Sequence, residues 1–130
     1  MSTLSGKRVV ITAGPTREAF DPIRFISNAS TGAQGIALAA EAGNRGATVA
    51  LVLGPTMLPA PENVRVENVT TARQMYDATL RVAEGADIII GAAAVSDWRP
   101  AESSELKLKK NRRRSYRSSC PEPRYSRRTR

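Results

Sequence analysis

"RVVITAGPTREAFDPIRFISNASTGAQGIALAAEAGNRGATVALVLG", residues Arg8–Gly54, decides the architecture. Its opening, Arg8–Gly14, is β-branched and apolar and closes on a glycine, the pattern of a parallel strand buried on both faces. The stretch Pro15–Asn28 holds two prolines and no clean period, and reads as a long ordered loop. From Gly32 to about Asn44 the residues Ile36, Ala39, Ala40 and Gly43 fall on one helical face. Ser30 or Thr31 stands where an N-cap is needed, and the glycines Gly43 and Gly46 supply the stop. Ala47–Gly54 is apolar again and forms the second strand.

The alternation continues outward from there. Pro55–Asn63 is a proline-rich loop, and Val64–Val69 is a short third strand. Thr70 or Thr71 heads a helix running to about Glu84, with Met75, Ala78, Thr79 and Val82 on its inner face. Ala86–Ala94 is the fourth strand and the most hydrophobic. Strands alternating with helices predict an α/β fold, a Rossmann-like doubly wound parallel sheet. Ligands bind such sheets beyond the carboxyl ends of the strands. That rule selects Gly14–Arg17, Gly54–Thr56, Thr70 and Ala92–Asp97.

With 130 residues, 41% of them apolar, the chain is globular and holds one domain at most. Its longest apolar run, Ala86–Val95, contains Asp87 and is too short to cross a bilayer. The first residues lack the form of a signal peptide, and Cys120 alone excludes an internal disulfide framework. These features predict a cytoplasmic protein. The net charge of +8 is unevenly spread. Residues 1–110 carry twelve Lys/Arg against eleven Asp/Glu, whereas residues 111–130 carry eight Arg against Glu122. The tail 111–130 is rich in Arg, Ser and Pro without apolar periodicity, the composition of a disordered segment. The folded part is therefore expected within residues 1–110.

Ser30, Gly32 and Gly35 stand at a helix start, where free N–H groups and a partial positive charge suit phosphate. Simple helix capping explains the same residues. The first strand ends in Gly14-Pro-Thr-Arg rather than G-x-G-x-x-G, and no Walker lysine follows. That pattern disfavours an NAD(P)-dependent oxidoreductase, which stays as one alternative. A nucleic-acid binder using the basic tail is another, although only Tyr116 and Tyr125 could stack on bases there.

Three segments, "ITAGPTREAFDPIRFISNASTGAQG" (Ile11–Gly35), "GAAAVSDWRP" (Gly91–Pro100) and "LKLKK" (Leu106–Lys110), occur in this order. Together they closely resemble the phosphopantothenate–cysteine ligase family of coenzyme A synthesis. In many bacteria that ligase is the C-terminal half of a bifunctional flavoprotein. The resemblance covers roughly Gly6–Lys110 and implies a Rossmann-like domain that forms a homodimer, with a decarboxylase domain upstream. It implies as substrates 4'-phosphopantothenate, L-cysteine and CTP, with Mg2+, reacting through an acyl-cytidylate. By the same resemblance Asn28 contacts that intermediate, Arg24 holds substrate, and Gly91, Ala92 and Ala93 receive the cytidine. Ser30, Gly32 and Gly35 take phosphate, and Asp97 faces the nucleotide. Lys107, Lys109 and Lys110 match the family's K-x-K-K flap, with Lys107 on a nucleotide phosphate. No residue is assigned as a metal ligand.

Beyond Lys110 the resemblance stops. The family continues with an alternating strand and an Asn-Pro-Asp-Ile-Leu motif, where this chain has its basic tail. Pro121–Arg128 can be encoded so that a one-base shift reads Pro-Asn-Pro-Asp-Ile-Leu-Ala. The tail is therefore expected to be out of frame, the C-terminal part of the family fold to be missing, and the chain to be impaired as an enzyme.

Overall fold

A computed structural model describes residues 3–108. Its elements are β1 (Arg8–Ala13), β2 (Arg17–Ala19), β3 (Phe25–Ser27), α1 (Ala33–Asn44), β4 (Thr48–Leu53), β5 (Arg65–Asn68), α2 (Ala72–Ala83) and β6 (Ile88–Gly91). β5, β4, β1 and β6 lie side by side in that order, all parallel. This is the expected Rossmann-like arrangement. The chain steps from β1 to β4 to β5, then returns across both to place β6 on the far side of β1. The direction of winding thus reverses between β1 and β6, and a crevice opens there at the carboxyl ends.

Period-two alternation divides the core. Val9, Ile11 and Ala13 of β1 pack with Val49, Leu51 and Leu53 of β4 against Ala39 and Ala42 of α1. Val10 and Val52 face the other way, onto Met75, Ala78 and Val82 of α2. Ile11 and Leu51 are paired in register and wholly buried, each contributing about 1.5–3 kcal/mol. Helix α1 buries Gly35, Ala39 and Ala42 rather than the expected set with Ala40 and Gly43, which are half-buried. Small residues line that stripe because the helix lies so close to the sheet that a Cβ on Gly35 would stand 2.3 Å from the Cβ of Ala13.

Two further expectations are corrected. The long loop after β1 contains an antiparallel hairpin, with Arg17 opposite Ser27 and Ala19 opposite Phe25. Strands of three residues leave too short an alternation for a period to show. The N-cap of α1 is Gly32, in the left-handed region at φ 80°, instead of Ser30 or Thr31. Helix α2 does begin as expected, with Thr71 and Gln74 forming a reciprocal capping box. The hydrophobic β6 pairs with β1 on one side, and Ile88 and Ile89 stay 38% and 57% exposed.

Candidate active site at the carboxyl ends of the strands

The β2–β3 hairpin grows directly from the end of β1 and lies across the sheet's carboxyl edge. The Arg17 N–H donates to the Thr70 carbonyl at 2.7 Å, and Glu18, nearly buried, accepts the Ala72 N–H at 2.8 Å. At the other end of β3, the Asn28 side-chain amide donates to the carbonyls of Ala94 and Val95 at 3.1 and 3.2 Å. Pairing between β1 and β6 runs on past the strand ends, through Ala92 N–H to Thr12 and Ala94 N–H to Gly14. Fully buried Thr16 then accepts the Ser96 N–H on its hydroxyl at 2.8 Å. One hairpin therefore gathers the loops after β1, β5 and β6.

Helix α1 starts beside them. Ser30 Oγ accepts the Gly32 N–H at 3.2 Å, and Thr31 Oγ1 accepts the Ala33 N–H at 3.3 Å. The Thr56 hydroxyl donates to the Thr31 carbonyl at 2.6 Å, fixing this turn to the loop after β4. The two helix starts differ in charge. Helix α2 has a carboxylate, Glu18, on its first N–H; at α1 the first N–H is met by the neutral hydroxyl of Thr31 and the first turn holds no acidic residue, a setting in which the helix dipole favours a nearby anion. Glycines at this end of the sheet, Gly32 of the phosphate assignment among them, serve packing as well. A Cβ on Gly32 would meet Gly14 Cα at 3.2 Å, and one on Gly54 would stand 1.8 Å from the Pro15 carbonyl oxygen. Three loops thus touch backbone to backbone.

Gly91 is different. A Cβ there would meet only Thr12 Oγ1, at 4.0 Å. Packing among the described residues does not require its small size, which leaves room beside the Ala92–Ala93 backbone. Asp97 is exposed on the same loop. Among the described residues no three His, Cys, Asp or Glu side chains gather into a metal cage. An Mg2+ ion carried on a ligand's phosphate oxygens would need only one or two protein carboxylates, and Asp97 is the carboxylate that this loop offers.

The remaining assigned residues meet at the hairpin's tip. Asp21, with its side chain wholly buried, accepts the N–H groups of Ile23 and Arg24 on Oδ1 at 2.9 and 2.7 Å. Its Oδ2 accepts the Leu108 N–H at 2.9 Å and faces Arg24 Nε at 3.3 Å. The bond from Leu108, then those from Ile23 and Arg24, outweigh burial and lower its pKa from 3.8 to about 2. Arg24 also donates to the Leu108 carbonyl, next to exposed Lys107. The structure thus joins Arg24 to the Lys107 segment and Asn28 to the loop after Ala92 and Ala93. Arg24 and Asn28 themselves flank the three residues of β3, about 13 Å apart along an extended chain. Lys109, Lys110 and the tail, including the expectations of disorder and altered frame, lie outside the described residues.

The side-chain amide of Asn28, assigned by resemblance to the intermediate, donates to the Ala94 and Val95 carbonyls, and its amide oxygen accepts no hydrogen bond among the described residues. Thr16, Glu18, Asp21 and Ser96 are polar residues of the site whose roles the sequence does not disclose. They are buried, and each has a partner more than fifty positions away. Their signal is their place in the segments that follow β1 and β6. At the opposite end of β1 and β4 a crease is lined by Arg8, Arg65 and Arg81. Its arginines are already engaged, Arg65 and Arg81 by Glu67 and Arg8 by the Glu84 carbonyl.

Comparison with known proteins agrees with this geometry. The family described as DNA/pantothenate metabolism flavoprotein C-terminal domain matches residues 4–118. The coenzyme A biosynthesis bifunctional protein CoaBC of Vibrio vulnificus (strain YJ016) is 54% identical over 107 residues, 82% of this chain and 27% of that protein. The crystal structure of a CoaBC C-terminal domain superposes with a TM-score of 0.76 at 42% identity, covering 84% of this chain and 58% of that one. A Cab2 mutant solved with phosphopantothenate-cysteine shares the fold, with a TM-score of 0.66 at 19% identity over 79% of this chain and 50% of that one. The chain spans about a quarter of the length of the full relative it matches and somewhat over half of the solved domain. The resemblance read from the three motifs is borne out: the chain belongs to the DNA/pantothenate metabolism flavoprotein C-terminal domain family.

Proposed function

We propose that this chain supplies the nucleotide- and acyl-binding part of a phosphopantothenate–cysteine ligase. The observation that carries this is the hairpin bearing Arg24 and Asn28, bonded at one end to the Lys107 segment and at the other to the loop after β6. In the reaction a carboxylate oxygen of 4'-phosphopantothenate attacks the α-phosphorus of CTP, and pyrophosphate leaves with the electrons of the broken P–O bond. The cysteine amine then attacks the acyl carbon, loses a proton, and CMP leaves with the acyl–oxygen bonding pair. A triphosphate and a carboxylate repel each other, so cations and N–H donors must hold both. Lys107 and the start of α1, with Ser30, Gly32 and Gly35, receive phosphate. Gly91, Ala92 and Ala93 leave space for the cytidine, and Asp97 faces the nucleotide and its Mg2+. Lys109 and Lys110 extend the cationic flap, Arg24 steadies substrate, and Asn28 holds the loop against which the acyl group is attacked.

The functional unit of this reading is a cytoplasmic homodimer working beside a decarboxylase, and turnover needs more of the domain than residues 1–110 provide. Mg·CTP should raise the melting temperature of the chain, since a ligand bound only to the native state stabilises it. NAD or NADP should raise it less; the reverse order would favour the oxidoreductase. A frame-restored, extended chain should release pyrophosphate from CTP in the presence of phosphopantothenate, and the 130-residue chain should not.

A further inference from the structure

Asp21 does more than shape a turn. Three of its four interactions are local, with the N–H groups of Ile23 and Arg24 and the Arg24 guanidinium. The fourth, from the Leu108 N–H to Oδ2, reaches across 87 positions in sequence. The segment it catches has no helix or strand, and its apolar residues lend it little burial: Leu106 is 79% exposed and Leu108 is 41% exposed. The hydrogen bonds fastening this segment to the hairpin are Leu108 N–H to Asp21, Ser104 N–H to the Phe20 carbonyl at 2.7 Å, and Arg24 to the Leu108 carbonyl. Arg24 is in turn steadied by Oδ2 of Asp21. Only an ionised carboxylate can serve four donors here. An asparagine has one acceptor oxygen, and its NH2 would face N–H groups.

We propose that Asp21 is a positioning residue for the nucleotide, acting through the segment it clasps to fix where the Lys107 ammonium stands. This rests on the reading of Lys107 as a phosphate contact.

The test uses the 130-residue chain, with amide hydrogen exchange and Mg·CTP affinity measured side by side. Asp21→Asn should speed exchange at Ser104 and Leu108 by roughly tenfold or more while Val10 and Ile11 stay protected. It should also weaken Mg·CTP. Lys107→Ala should weaken Mg·CTP in the wild-type background and add little in the Asp21→Asn background, a non-additivity expected only of coupled groups. If Asp21→Asn fails to fold, Leu108→Pro removes the same N–H donor from the other side, and should give the same effects at Ser104 and on Mg·CTP. Unchanged exchange at Ser104 and Leu108 would overturn the clasp. Faster exchange with unaltered or additive nucleotide affinity would overturn the positioning role. A wild-type chain that shows the clasp but binds no Mg·CTP would overturn that role through the proposed function, while leaving the clasp as a structural bond.

Discussion

The carboxylate of Glu18, on a three-residue strand, accepts the first N–H of helix α2 from Ala72 at 2.8 Å. The capping box of Thr71 and Gln74 serves the third position of that helix, so Glu18 completes the start from outside. Glu18→Ala should cost about 1 kcal/mol in urea unfolding, the usual worth of a lost cap. Glu18→Gln keeps an acceptor and should cost less. A null effect of both would mean that water replaces the carboxylate without loss.

Glycines at the site should separate into two classes. Gly54→Ala and Gly35→Ala would press a Cβ to 1.8 Å from the Pro15 carbonyl oxygen and 2.3 Å from Ala13 Cβ. Each should cost about 3 kcal/mol or prevent folding. Gly91→Ala meets only Thr12 Oγ1 at 4.0 Å and should stay within about 0.5 kcal/mol. The informative measurement at Gly91 is nucleotide protection, which a larger residue such as valine should diminish without unfolding the chain.

The Asp21 carboxylate gives an acid-side signature. Its pKa lies at about 2 in the fold against an ordinary 3.8, so the native state binds its proton less readily than the unfolded chain. The stabilisation is complete above about pH 4 and is lost as pH falls through about 2. The gap in melting temperature between wild type and Asp21→Asn should therefore narrow across that window. A gap that stays constant down to pH 2 would assign the loss to packing.

Asn28 turns both amide hydrogens onto carbonyl oxygens, so charge at this position is adverse. Asn28→Asp should destabilise the chain more than Asn28→Ala, by about 1 kcal/mol, because a carboxylate would then face two carbonyls. In a protein carrying the whole domain, loss of Asn28 should spare acyl-cytidylate formation more than amide formation. Equal loss of pyrophosphate release and of final product would count against a role in the second step.

Much of this was legible beforehand, for identifiable reasons. The four parallel strands announced themselves through apolar runs such as Val9–Ile11 and Leu51–Leu53, and their alternation with helices predicted the doubly wound class though not the strand order. The carboxyl-end rule found the segments holding Thr16 and Ser96 without naming their bond, since neither hydroxyl nor N–H records a partner 80 positions away. The hairpin was hidden because Arg17–Ala19 and Phe25–Ser27 are too short to show a period. Gly32 was passed over as the cap because the hydroxyls before it have the stronger statistical claim. Its own claim lies in a left-handed φ and in the Gly14 backbone pressed against it, both products of tertiary structure.

The exposed flank of β6 bears on how this chain behaves in company. Isoleucine at 88, 89 and 90 favours extended structure, and among the described residues no strand pairs with β6 on its outer side, so its N–H and carbonyl groups there are offered to any extended chain that drifts past. Charged neighbours normally discourage such encounters, but Asp87, next to the triplet, already spends a carboxylate oxygen on the Arg8 N–H at 2.8 Å. Self-association of the purified chain should therefore rise steeply with concentration. A lysine at Ile89, the most exposed of the three at 57%, should slow that loss of monomer while leaving the fold in place.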